Sequence, residues 1–190
     1  MRVAMLARRS FLAFALLAPV ACAPKPELAD VSSDPFGKSP YQLAAGDKLR
    51  IIVFGQDNLS NLYAVDGTGR ISMPLIGTVE VFEKTTQQLE KAVESRLRAG
   101  FLREPKVTVD IETYRPFFIL GEVSASGQFP YVNGMTVQTA VAIAGGFTPR
   151  AQRSFAEITR QVDGQPMSAS VPIHFQVRPG DTVVIKERWF

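Results

Sequence analysis

Charge and cysteine content set the first limits on this chain. It has 190 residues, with 21 lysines and arginines against 18 aspartates and glutamates. Arg2, Arg8 and Arg9 lie in an N-terminal segment that we expect to be removed, and 21 minus 3 leaves 18 basic residues against 18 acidic ones. A balanced mature chain lacks the basic surface typical of nucleic-acid binding, and its single cysteine excludes an intrachain disulfide.

The first 21 residues have the pattern of an export signal. Arginines at the start precede an apolar run from Phe11 to Ala21, which ends just before Cys22. This run is too short to cross a hydrocarbon core, which takes ~20 residues. We therefore expect residues 1–21 to be a signal peptide. The pair Arg8-Arg9 leaves the export route open, because it fits a twin-arginine signal as well as an ordinary one.

Two cleavage sites fit this signal. Ala21 and Ala23 form an A-x-A site around Cys22. Cleavage before Cys22 would instead use residues 16–21 as a lipoprotein box. We favour the second site, because the sole cysteine lies at the position where lipidation requires it. Residues 22–40, which are rich in proline, would then form a lipid anchor and a tether.

Residues 41–113 are predicted to form a first, β-rich domain. Apolar residues alternate with polar ones from 49 to 53, which is typical of a half-buried strand. Asp66-Gly67 between apolar flanks predicts a hairpin with a type I′ turn, in which both central residues take a positive φ. Further short strands are expected at residues 71–75 and 78–82.

One helix is predicted in this first domain. Thr85 and Gln88 have the spacing of a capping box, in which each side chain bonds the backbone N–H of the other residue. Apolar residues recur at helical spacing from 89 to 97 and predict one buried face. The alternating apolar residues 107–111 then predict a closing strand.

Residues 114–190 are predicted to form a second mixed domain. A strand over residues 117–123 is expected to pair with residues 127–132, and a capped helix that ends at Gly145-Gly146 follows. Asp163-Gly164 predicts another hairpin. Together the two patterns predict an α+β fold of two small mixed domains.

Gly-Asp dipeptides introduce strands near both ends of these two domains. Ala45-Gly46-Asp47 precedes the first strand, and Pro179-Gly180-Asp181 precedes the last. In each turn the glycine can take a positive φ, and the aspartate can bond the following backbone. Shared turn chemistry accounts for this similarity without a duplication.

The sequence predicts no catalytic residue, metal site or cofactor. His174 is the only histidine, and no nucleophile-elbow motif accompanies it, so a Ser-His-Asp triad is not expected. One histidine and one cysteine are too few for a zinc site. Glu122 is the carboxylate with the most apolar neighbours, and we interpret it as a turn residue. We therefore expect a protein that is not an enzyme.

Two blocks of motifs resemble those of outer-membrane polysaccharide export proteins. Residues 41–109 are similar to the polysaccharide biosynthesis/export domain of this family, through Gly46-Asp47, Asp66-Gly67 and the stretch from Pro105 to Val109. The second domain is similar to the soluble-ligand-binding β-grasp module of the same family. Its matching residues are Gly121, Gly127, Pro130, Gly145, Gly146, Gly180 and Asp181.

The resemblance implies a non-catalytic outer-membrane lipoprotein that faces the periplasm. Copies of it would assemble into a homo-oligomeric ring through which capsular or exopolysaccharide passes, with an inner-membrane polysaccharide co-polymerase as a partner. Larger members end in a helix that crosses the outer membrane, whereas this chain stops at Trp189-Phe190. We therefore expect the polymer to pass to a separate outer-membrane β-barrel.

Two other functions remain open from the sequence. One is a monomeric sugar-binding module of the envelope that regulates polysaccharide synthesis. The other is a polysaccharide-cleaving enzyme that uses a pair of carboxylates.

Overall fold

The computed structural model describes residues 34–37 and 39–188. The predicted signal peptide, the lipidation site Cys22 and the terminal pair Trp189-Phe190 lie outside the described residues, so the predictions made for them stay predictions. Within the described ranges, no helix has the length and apolar character that a membrane span needs.

The first half of the described chain, residues 41–113, combines one helix with short antiparallel strands. Strands β1, β2 and β5 form a sheet in the order β2-β1-β5, and β3 pairs with β4 as a separate hairpin. The elements are β1 (Lys48–Val53), β2 (Asn61–Ala64), β3 (Arg70–Met73), β4 (Gly77–Glu80), α1 (Thr86–Arg98) and β5 (Val107–Thr113). Alternate residues of β1 are buried, as the sequence pattern predicts.

The predicted capping box begins α1. The Thr85 hydroxyl accepts from the Gln88 N–H at 3.2 Å, and the Gln88 side chain accepts from the Thr85 N–H at 2.9 Å. Leu89, Val93 and Leu97 are fully buried, which confirms the predicted face. Each of these side chains stabilises the fold by about 1.5–3 kcal/mol, against about 1 kcal/mol for the cap. Packing therefore holds the helix in place, and the cap fixes where it begins.

The polar side of α1 covers the free edge of β5. The Glu94 carboxylate accepts from the Val107 N–H at 3.1 Å, and the Glu90 carboxylate accepts from the Val109 N–H at 3.0 Å. An uncovered strand edge would offer these N–H groups to another chain. The two glutamates therefore close this side of the sheet.

The hairpin predicted at Asp66-Gly67 is wrong. Strands β2 and β3, on either side of it, belong to different sheets, and the positive φ of +75° falls on Gly69. The Asp66 carboxylate bonds the N–H groups that follow and so forms an Asx turn in place of a type I′ turn. Gly69 is required here, because a Cβ on it would lie 2.6 Å from the Phe82 Cβ.

The second half, residues 114–188, is a five-stranded mixed sheet with one helix against it. The strand order is β7-β6-β10-β8-β9, with β6 and β10 parallel and the other neighbours antiparallel. The elements are β6 (Phe117–Gly121), β7 (Gly127–Phe129), α2 (Val137–Ile143), β8 (Phe155–Val162), β9 (Gln165–Pro172) and β10 (Thr182–Ile185). The two halves together confirm the predicted α+β class of small mixed domains.

The hairpin predicted at Asp163-Gly164 is confirmed. It joins β8 to β9, with Val162 opposite Gln165, and both central residues have a positive φ, +49° and +72°. This is the backbone of a type I′ turn.

Candidate functional site at the junction of the two sheets

Asp47, in the first Gly-Asp turn, is completely buried. The Tyr41 hydroxyl donates to its carboxylate at 2.7 Å, and the N–H groups of Ala44 and Arg115 donate at 2.9 and 2.8 Å. The Arg115 guanidinium lies 3.6 Å away. Burial raises the pKa of Tyr41 well above its ordinary value of 10, so its hydroxyl stays protonated and donates to the carboxylate.

Asp181, in the second Gly-Asp turn, is 1% exposed and forms a bidentate ion pair. Arg160 donates to its two oxygens from Nε at 2.9 Å and from Nη2 at 2.8 Å, and the Arg178 N–H donates at 2.7 Å. The Phe36 ring covers the Arg160 guanidinium, with its centroid 4.5 Å from Cζ. Paired, aligned donors of this kind make strong hydrogen bonds. These hydrogen bonds therefore fix the position of the Asp181 carboxylate within the second half.

Arg115 connects the two Gly-Asp turns. Its backbone N–H bonds Asp47, while its Nε donates to the Pro179 carbonyl at 3.2 Å. A Cβ on Gly46 would lie 3.4 Å from the Arg115 Cβ, and a Cβ on Gly180 would lie 2.5 Å from Nε. Both glycines have a positive φ, +93° and +84°. The arginine therefore runs between two backbone corners that favour glycine.

Three tyrosines line up across the same junction. Tyr114, between β5 and β6, lies edge-on to Tyr41 and to Tyr131, with ring centroids 5.3 Å apart in each pair. Aromatic pairs of this kind contribute about 0.5–1.5 kcal/mol each. The Gly180 N–H also donates to the Pro116 carbonyl at 3.0 Å. Contacts on both sides of the connecting segment therefore hold the two halves together.

Residues at the end of the predicted tether also belong to the junction. Phe36 is 5% exposed and packs in the core of the second half. Asp34 lies 3.7 Å from the Arg178 guanidinium, which also donates to the Gly37 carbonyl at 3.4 Å. The sequence interpretation missed this packing. The available signal was a single phenylalanine within a polar stretch.

Gly145 and Gly146 end α2 as the sequence predicts. The Gly146 N–H donates to the Val141 carbonyl at 2.9 Å, and the Gly145 N–H donates to the Ala142 carbonyl at 3.1 Å. This is a Schellman motif. The Ser124 hydroxyl donates to the Gly145 carbonyl at 3.0 Å, so the helix end is joined to the corner that follows β6.

Gly121 lies at that same corner. A Cβ on it would lie 2.1 Å from the Ile185 carbonyl oxygen, so the backbones of β6 and β10 meet here as closely as glycine allows. The neighbouring Glu122 donates its N–H to the same carbonyl at 2.9 Å, and its carboxylate accepts from the Thr148 hydroxyl. This arrangement fits the interpretation of Glu122 as a turn residue.

The remaining motif residues contribute to separate turns and strands. The Asp66 carboxylate accepts from the Thr68 hydroxyl and from the N–H groups of Thr68 and Arg70. These hydrogen bonds, that of the hydroxyl first, hold the pKa of Asp66 below its ordinary value. Gly127 begins β7, and Pro130 follows its last residue.

The groups considered for catalysis do not gather at the junction. His174 is exposed in the turn after β9, where the Phe175 N–H bonds the Pro172 carbonyl at 2.9 Å. In the part of the chain that the structure describes, no three histidine, cysteine, aspartate or glutamate side chains are grouped to hold a metal ion.

Sequence reasoning found the two aspartates but missed the arginines that meet them. Arg160 had a usable signal, because it occupies a core-facing position of β8 after Ala156 and Ile158. An arginine at such a position is seldom buried without a carboxylate partner. Arg115 had no comparable signal, since it lies between two strands.

Family models match both halves of the chain. A model described as polysaccharide biosynthesis/export protein matches residues 37–112, and one described as SLBB domain matches residues 116–169. The chain therefore carries a polysaccharide biosynthesis/export domain followed by an SLBB domain. The resemblance seen in the sequence motifs is thereby confirmed, and the junction at Arg115 lies between the two matched segments.

Two curated proteins are similar to this chain. The exopolysaccharide production protein ExoF of Rhizobium meliloti (strain 1021) is 31% identical over 118 residues, which cover 56% of this chain and 28% of that protein. The EPS I polysaccharide export outer membrane protein EpsA of Ralstonia nicotianae (strain ATCC BAA-1114 / GMI1000) is 27% identical over 198 residues, which cover 85% of this chain and 51% of that protein. This chain therefore spans about half or less of the length of these relatives.

Proposed function

We propose that this polysaccharide export protein is a non-catalytic component of an export conduit, and that its copies assemble into a ring for polymer passage. Cys22 carries the lipid that anchors it to the outer membrane, and the folded part faces the periplasm. An inner-membrane co-polymerase supplies the polymer, which a separate outer-membrane β-barrel then receives. The EpsA relative is named an outer membrane export protein, which supports this location.

Support for the ring comes from apolar side chains on the outer face of the five-stranded sheet. Phe118 and Leu120 point away from the core on β6 and are 40% and 45% exposed. Phe155, on the same face of β8, is 42% exposed. The solvent face of a sheet is usually polar, and an exposed apolar patch marks an interaction site. A different surface of a second copy would cover this face, and a head-to-tail contact of that kind closes into a ring when the rotation between copies closes.

Light scattering on the full mature chain, purified in detergent, tests the ring. We expect a mass of many copies for the wild type and a much smaller mass for the double variant Phe118→Asp/Leu120→Asp, because the carboxylates would be desolvated at the contact. Phe101→Asp is the matched control, since Phe101 is 51% exposed in the first half. Single copies of the wild type, together with normal polymer secretion by a deletion strain, would contradict the proposal.

Fractionation tests the anchor. The variant Cys22→Ser should leave the outer-membrane fraction, because it cannot carry the acyl chains. Each buried CH₂ of such a chain contributes about 0.8 kcal/mol to the free energy of membrane binding. If the variant still sediments with that membrane, lipidation is not the anchor. Incubation of the protein with the secreted polymer distinguishes a conduit from a cleaving enzyme. An enzyme would shorten the polymer, whereas a conduit would leave its length unchanged.

A further inference from the structure

We propose that the cleft between the two halves binds a short segment of uncharged glycan. The inference rests on the proposed export function and adds a binding site to it. The cleft has a volume of about 420 Å³, within the range of small-molecule sites. Both halves line it, the first through residues 42–45 and 82–83, the second through Arg115 and residues 160–161, 163–164 and 179–181.

Four polar side chains that line the cleft lack partners among the described residues. They are Gln42, Glu83, Gln161 and Asp163, for which the described part of the chain provides no side-chain hydrogen bond or ion pair. Amides donate and accept at once, and carboxylates accept. Glycan hydroxyl groups donate and accept as well. Two neighbouring hydroxyls on one sugar can therefore bond one side-chain amide or one carboxylate together.

An aromatic ring in the cleft provides the apolar part of the site. Phe82 is 47% exposed, and Gly69 lies directly against its Cβ. The face of the ring is electron-rich, so it attracts the polarised C–H groups on the apolar face of a sugar. Ala44 and Ala45 continue this surface. An apolar wall with a few polar groups is the usual composition of a ligand site.

The charge of the cleft favours an uncharged ligand. Each of its two arginines already faces a carboxylate, since Arg115 lies beside Asp47 and Arg160 is paired with Asp181. Glu83 and Asp163 remain as two unpaired carboxylates. A ligand carboxylate about 10 Å from one of these charges would be repelled. At an effective dielectric constant of ~20, this repulsion would lower the affinity roughly tenfold.

The backbone at Glu83 agrees with a functional position. Its φ of +61° is in the left-handed region, where a glutamate is uncommon. Strain of this kind concentrates at binding sites. Across the cleft, a Cβ on Gly164 would lie 3.8 Å from the Glu83 carboxylate, so the β8–β9 turn and Glu83 close one end together.

Titration calorimetry with a matched pair of probes tests the site. The probes are tetrasaccharides cut from the polysaccharide that the source strain secretes, with every C6 either a primary alcohol or a carboxylate. The full mature chain should bind the alcohol form at least about tenfold more tightly at low salt, and added salt should reduce this preference. The double variant Glu83→Gln/Asp163→Asn should remove most of the preference.

Single substitutions locate the binding. Phe82→Ala and Gln161→Ala should each weaken binding of the alcohol form by about fivefold or more. The controls are Phe101→Ala and Gln87→Ala, which change exposed residues outside the cleft and should leave binding unchanged. Circular dichroism checks that every variant is folded.

Three results would overturn the site: no binding of either probe, tighter binding of the carboxylate form, or unchanged binding by Phe82→Ala. Light scattering and polymer secretion report on the conduit separately. An intact ring and normal secretion without glycan binding would overturn the cleft alone.

Discussion

Each of the two Gly-Asp turns buries its aspartate, but the two carboxylates have different kinds of partners. Asp181 faces Arg160, which is itself buried and donates from two nitrogens. Asp47 instead accepts from one tyrosine and two backbone N–H groups, while the Arg115 guanidinium stays 3.6 Å away with its side chain 23% exposed. The first arrangement is an ion pair within one half, and the second is a network that joins both halves.

This difference shows what a turn motif can and cannot specify. The Gly-Asp dipeptide places a carboxylate beneath the start of a strand, because glycine forms the corner and aspartate accepts from the N–H three residues before it. The predicted bond to the backbone that follows the aspartate is therefore wrong in both turns. Which distant side chain meets that carboxylate depends on the rest of the fold. The same local structure can therefore stabilise one domain or connect two.

The largest effect should come from Asp181→Ala. This change leaves Arg160 charged and buried without its partner, which costs about 3–5 kcal/mol in the free energy of unfolding. Asp47→Ala should cost less, about 2–3 kcal/mol, because it leaves neutral donors and a partly hydrated arginine. Urea denaturation of the full chain measures both. Glu112→Ala, which breaks the exposed pair with Arg50, is the control and should have little effect.

Equal losses for the two aspartate variants would contradict the comparison, since both turns would then depend on charge pairing to the same extent.

A loss in the same range as those of the two aspartate variants is expected for Gly180→Ala. Alanine at a positive φ costs about 1–2 kcal/mol, and contact with the Arg115 guanidinium adds about 1–3 kcal/mol. Gly55→Ala is the matched control, because Gly55 has a φ of +72° and nothing within 4 Å of its added Cβ. In an Arg115→Ala background, the loss for Gly180→Ala should fall to that of the control. Strictly additive losses would show that the arginine does not occupy the space between the turns.

The smallest effect should come from Tyr41→Phe. Loss of the hydroxyl that bonds Asp47 costs about 1.5–2 kcal/mol, near the lower end for a hydrogen bond to a charged group, because two backbone donors remain. Tyr114→Phe keeps the aromatic row and is the control. Denaturation at neutral pH compares the two, and an equal loss for both variants would contradict the role of the hydroxyl.

The same tyrosine predicts a pH dependence. Its pKa is raised in the folded state by burial, so its contribution is complete below pH 10, where the unfolded chain also keeps the proton. Above pH 10 the unfolded tyrosine ionises while the folded one does not, and this contribution is lost. The wild type should therefore lose stability above pH 10 more steeply than Tyr41→Phe.

Short-range patterns in the sequence determined most of the local structure. The capping box at Thr85, the buried face of α1, the alternation in β1 and the type I′ turn at Asp163-Gly164 were all predicted. Each of these features depends on residues a few positions apart, whose spacing directly sets which side chains share a face or a turn. The sequence alone also identified both aspartates of the candidate site.

The tertiary structure decided how these pieces meet. Asp47 and Arg115 are 68 positions apart, and no local periodicity records a contact over that distance. The hairpin predicted at Asp66 is wrong because its flanking strands pair in different sheets. Phe36 precedes the first half in the chain but packs in the core of the second half. Local spacing fixes which backbone shapes are possible, whereas the burial of charge and apolar area across the whole chain selects their partners.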